Sequence, residues 1–151
     1  MPDNEKQLSL EDAAKHLLEE CRMVLPGVQA LFGFQLVAIF NQRFAEAVSA
    51  NEQRLHLAAI LCVVVSVALV MTPAALHRQR EPMSVSRRFI DVSSRLLMWS
   101  MVPLAVATAL DLYIIARIIL GNQPVAAVVA AAALAVFIIL WKVWPARVRL
   151  V

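Results

Sequence analysis

Glycine and cysteine are scarce in this chain of 151 residues, with three of the first and two of the second. Gly27, Gly33 and Gly121 stand apart from one another, so there is no glycine-rich loop to cradle a phosphate. No nucleophile elbow surrounds a serine either. Cys21 and Cys62 have neither metal nor redox spacing and read as reduced structural thiols. The first twenty residues are polar and acidic, so no cleavable signal peptide is expected. Internal repeats and low-complexity tails are also missing. Catalysis therefore has no motif to rest on, and neither an enzyme activity nor a cofactor nor a metal site is expected.

What the chain has in abundance is apolar residues, at 61% of the total and a mean hydropathy of +0.72. A hydrocarbon layer about 30 Å thick needs roughly 20 apolar residues of helix to cross it. Four windows meet that test, at 23–40, 55–76, 96–120 and 124–141. A buried soluble bundle would need polar helix faces, and the second and fourth windows show almost none. The fold class is therefore all-α: an integral membrane four-helix bundle with an additional N-terminal amphipathic helix. The division is a cytoplasmic helix over 1–22, a four-span domain over 23–144 with a basic connection at 77–95, and a tail at 145–151.

The net charge of +3 does not point to nucleic acid, because the basic residues flank the apolar blocks, where anionic lipid headgroups account for them. Eleven of the fourteen lysines and arginines fall in the N-terminal segment, the middle connection and the C-terminal end. Arg43, Arg54 and Arg117 are the other three. The positive-inside rule then puts both termini and the middle connection in the cytoplasm. Trp141 and Trp144 suit the cytoplasmic interface.

Along the chain, Ser9 is placed to cap a helix with Asp12 three residues on, and Leu10, Ala14, Leu17, Leu18 and Cys21 form one stripe. Pro26-Gly27 predicts a turn from this surface helix into the first span. Pro73 and Pro103 predict bends, Ser84 and Ser86 are candidate caps of the third helix, and Gly121 and Pro124 read as a stop followed by a start. Ala127, Ala131 and Ala135 make a small-residue face for packing within the chain. Asp12, His16, Glu19 and Glu20 read as a solvated helix face, since three acids and one histidine specify no metal geometry.

The polar residues inside the apolar windows carry the functional question. Gln29, Gln35 and Asn41 lie six residues apart, which turns successive side chains by about 120°. They form no continuous polar stripe, and interhelical hydrogen bonding accounts for them more simply than a midplane contact at Gln35. Asp111 sits about 22 Å along the third span, in its outer third. A lipid-facing carboxylate there costs at least about 2.5 kcal/mol, so it is expected to face inward and to be paired. Arg117 lies on another face of the same helix, leaving Arg43, Arg54 and His56 as candidate partners from neighbouring helices and Thr108 as a hydrogen-bond donor. A structural ion pair weighs more than a proton or cation site, because no second embedded acid is evident. At the opposite end His77, Arg78, Arg80, Arg87 and Arg88 form a basic collar suited to lipid headgroups.

The stretch RMVLPGVQALFGFQLVAIFNQRF, followed by MTPAALHR and a basic connection, resembles a family of small bacterial four-span membrane proteins of unknown function. It covers the chain from about Arg22 to Arg117 and rests on Pro26, Gly27, Gln29, Gly33, Gln35, Asn41, Phe44, Pro73, His77 and Arg78. The resemblance implies the fold and the membrane location, with no catalytic or binding role. Some relatives are labelled sodium/proton antiporters, although the usual antiporter architecture has more spans and acids deep in broken helices. The leading expectation is a small ion or proton channel or transporter subunit working as a homo-oligomer. Its rival is a non-transporting structural or regulatory protein that binds lipid or a protein partner.

Overall fold

The computed structural model describes residues 9–80 and 85–148 and, within them, all side chains but those of Arg43, Ala45 and Arg80. These residues form α1 (Leu10–Ile39), α2 (Gln42–Ala47), α3 (Ala50–Arg80), α4 (Arg87–Leu120) and α5 (Gln123–Ile138). A π-helical turn, Ile139–Val143, and a last short helix, α6 (Trp144–Arg147), extend α5. Four helices, α1, α3, α4 and α5 with its extension, are long and apolar enough to cross a membrane.

Ser9 caps α1 as expected. Its hydroxyl accepts from the Asp12 amide at 3.2 Å and donates to the Asp12 carboxylate at 2.6 Å. The predicted turn at Pro26 is not there, and the amphipathic segment and the first span are one 30-residue helix. The reason is visible in what the helix buries: Ala14, Leu17, Cys21, Val28 and Gln35. Their spacings of three, four and seven residues keep one face inward on both sides of Pro26. Proline costs the helix one backbone bond, and a continuous packed face outweighs that loss.

The same seven-residue spacing runs through the rest of the core. On α3 it gives Glu52, Ala59, Ser66 and Pro73, and a second row of His56, Val63 and Val70. On α4 it gives Ser93, Ser100, Ala107 and Ile114. A repeat of seven is that of helices crossing at a shallow angle of about 20°. Small residues dominate these rows, which lets α3 and α4 approach closely. Ser66, fully buried, donates to the Ser100 carbonyl at 2.8 Å. Val28, Ala59, Val63 and Ala107 form the central cluster, and Leu17, Cys21 and Val70 a second one toward the α3–α4 connection.

Ser86 caps α4 by accepting from the Phe89 amide at 3.1 Å, whereas Ser84 lies outside the described residues. Gly121 ends α4 in the left-handed region at φ 64°, and Asn122 caps α5, which has Pro124 in its first turn. The stop and the start are both as the sequence predicts. α5 packs mainly on α4 and buries only Ala126. The expected alanine face is corrected accordingly. Ala127 and Ala131 are exposed and, with Leu55 and Tyr113, line an open apolar groove between α3, α4 and α5. The π-helical turn precedes Pro145, whose ring would clash with the carbonyl of Trp141. The Trp144 amide bonds instead to the Ile139 carbonyl, five residues back.

Candidate functional site

At the α2 end of the bundle the seven-residue rows of α1 and α3 finish in polar side chains. On α1 the step after Val28 is Gln35, and on α3 the steps before Ala59 and Val63 are Glu52 and His56. All three are buried, at 3%, 3% and 6% exposure. Asp111 on α4, one turn beyond Ala107, completes the layer.

Gln35 Nε2 donates to Asp111 Oδ2 at 2.7 Å. His56 Nε2 lies 2.9 Å from the backbone carbonyl of Gln35, and its Nδ1 lies 3.3 Å from Asp111 Oδ1. Phe44 of α2 tilts against the imidazole at a centroid distance of 5.1 Å. These contacts constrain the proton count. A carbonyl only accepts, so Nε2 must carry a hydrogen and donate it. Nδ1 then faces a carboxylate oxygen, and two opposed lone pairs would repel. One proton between them, as imidazolium and carboxylate or as imidazole and carboxylic acid, would remove that repulsion. Both arrangements leave the pair neutral overall, the condition under which ionisable groups are tolerated in a low-dielectric interior.

A second unit stands beside the first. Arg117 Nε is 2.7 Å from Glu52 Oε1. Glu52 Oε2 accepts from the amide and the hydroxyl of Ser49 at 2.7 and 2.8 Å, and the Glu52 amide faces the Ser49 hydroxyl at 3.4 Å. This is a reciprocal capping box at the start of α3, with its carboxylate also neutralised by a cation from α4.

Asp111, Gln35, His56 and Arg117 are thus brought to one end of the bundle, and His56 rather than Arg54 is the partner of Asp111. Arg54 and Gln29 are exposed, and Asn41 is exposed where α1 ends, its carbonyl accepting from the Phe44 amide. The Arg43 and Arg80 side chains are outside those described. Thr108 does not reach the carboxylate, because its hydroxyl donates to the Leu104 carbonyl at 3.0 Å. Glu52 overturns the expectation of a single embedded acid. Sequence reasoning missed it together with Ser49 and Phe44, although S-x-x-E at 49–52 was a usable signal. At the other end His77 and Arg78 line a cavity, while Arg87 and Arg88 are exposed in the first turn of α4. His16 Nδ1 lies 3.8 Å from Glu19 Oε2 on an exposed face. Among the described residues no group of three His, Cys, Asp or Glu could hold a metal ion.

Four apolar crossing helices around an inward-facing polar layer define an all-helical, multi-pass membrane protein. Residues 4–145 match a family of unknown function (DUF6328), and the chain belongs to that family. The match extends beyond the stretch from Arg22 to Arg117 that carried the resemblance, and it brings no activity with it. No curated protein and no solved structure matches the chain.

Proposed function

We propose that this protein is a proton-handling subunit of a homo-oligomeric channel or transporter in a bacterial cytoplasmic membrane, with both termini in the cytoplasm. The observation that carries the reading is the enclosed contact of His56 Nδ1 with Asp111 Oδ1 at 3.3 Å, which a single shared proton would satisfy. A site that holds one proton between two groups can release and reload it with little rearrangement. The small ion handled is a proton, and Gln35 positions the carboxylate. The oligomer is supported by α5, which leaves a nearly unbroken apolar surface outside the bundle. The collar of His77, Arg78, Arg87 and Arg88 meets anionic headgroups on the cytoplasmic side.

Purified protein in liposomes tests this directly. Proton flux should be measurable, and Asp111→Asn should abolish it without lowering the unfolding temperature, because an asparagine can still bond to Gln35 and His56. Absent flux together with an unfolded Asp111→Asn variant would instead support the second reading, a non-transporting structural or regulatory protein. One observation favours that alternative: the polar layer ties α1, α3 and α4 together with balanced charge.

A further inference from the structure

The end of the bundle opposite Asp111 holds a cavity of about 530 Å³ between α1 and α3. Its polar rim is Arg22 from α1 and His77 and Arg78 from α3, and its walls include Leu25, Met71 and Ala74. The two guanidiniums come from different helices. Among the described residues neither is paired with a carboxylate. His77 leans on Phe89 at a centroid distance of 5.5 Å, and its Nδ1 is buried with no hydrogen-bond partner. Both arginines are exposed yet line the same concavity as the buried imidazole nitrogen, so three unpartnered donor groups are offered to whatever anion enters it.

The geometry points to a binding site for one anionic phospholipid, with its phosphate between Arg22 and Arg78 and an acyl chain against the apolar wall. Charge complementarity selects the phosphate, and the mixed lining selects an amphiphile over a free ion. Arg22 begins roughly 20 Å along α1 from Gln35, which puts it at headgroup depth. This site shares His77 and Arg78 with the collar proposed above and goes beyond it, because it is a concavity that also needs Arg22 and the apolar wall of α1. It is also independent of the proton chemistry at Asp111.

The test is lipid retention by the intact protein in neutral detergent, read by native mass spectrometry with phosphatidylglycerol and phosphatidylcholine as probes. Phosphatidylglycerol should be retained preferentially, on the order of tenfold or more. Arg22→Gln with Arg78→Gln should abolish that preference, and Arg87→Gln with Arg88→Gln should leave it intact. Ala74→Trp should fill the cavity and expel the lipid with every charge in place, so it decides the matter if the arginine variant does not fold. Equal retention of both lipids, or a preference that survives Ala74→Trp, would overturn the site. Displacement of phosphatidylglycerol by millimolar inorganic phosphate would also overturn it, in favour of a free-anion site.

Discussion

Arg117 and Glu52 meet across α4 and α3 at 2.7 Å, where a half-exposed guanidinium covers a carboxylate that is almost fully enclosed. The pair joins the same two helices as the Asp111–His56 contact, about one turn nearer the start of α3, and shares no atom with it. The bundle thus has two separately neutralised units in one layer.

Removing one partner of such a pair leaves the other charge uncompensated. Glu52→Gln should cost roughly 2 kcal/mol, below the 3–5 kcal/mol of a fully buried pair because Arg117 is partly solvated. Glu52→Gln with Arg117→Gln should recover part of that loss. Reversible unfolding in mixed micelles measures it, and strictly additive losses would mean that the two residues do not interact.

The protonation of His56 is fixed on one nitrogen by a backbone carbonyl. Nitrogen NMR of histidine-labelled protein should show the hydrogen of His56 on Nε2, which faces the Gln35 carbonyl at 2.9 Å, in the wild type and in Asp111→Asn. Observing a hydrogen on Nδ1 alone would contradict the geometry and the proton count drawn from it.

Ala107 is fully buried in the seam that brings α3 and α4 together, whereas Ala131 is exposed in the groove beside α5. Ala107→Leu should therefore destabilise the monomer by about 1–3 kcal/mol through overpacking. Ala131→Leu should leave monomer stability nearly unchanged. Similar losses in both would place the tight seam on α5 instead.

Gly121 is in the left-handed region at φ 64°, and a Cβ added there would meet nothing within 4 Å. Gly121→Ala should cost about 1 kcal/mol, all of it backbone conformation. Unfolding that matches the wild type would show that the α4–α5 link relaxes freely.

Much of this architecture is legible in the sequence, since hydrocarbon thickness sets span length and Ser9, Ser86, Gly121 and Pro124 punctuate the helices in the ordinary way. The enclosure of Asp111 also follows from its cost in lipid. Other features resist reading because lipid-facing and core-facing positions are both apolar here. Along α3 and α5 hydropathy then has almost no period, and on α3 the inward face shows itself only through small and polar residues every seven positions, as in Glu52, Ala59 and Ser66. Glu52 hides for a related reason: Ser49, Asn51, Gln53 and Arg54 surround it, so the segment looks like a solvated connection. Pro26 misleads because a proline's lost bond is tolerable in a helix packed on both sides of it.

The shallow burial of α5 has a consequence for biogenesis. The polar layer of Gln35, Glu52, His56, Asp111 and Arg117 has all its members once the nascent chain has passed Leu120, and α5 itself contributes only Ala126 to the buried residues. The first three crossings can therefore lock together while the fourth is still being inserted, and its late arrival decorates the assembly without setting its register.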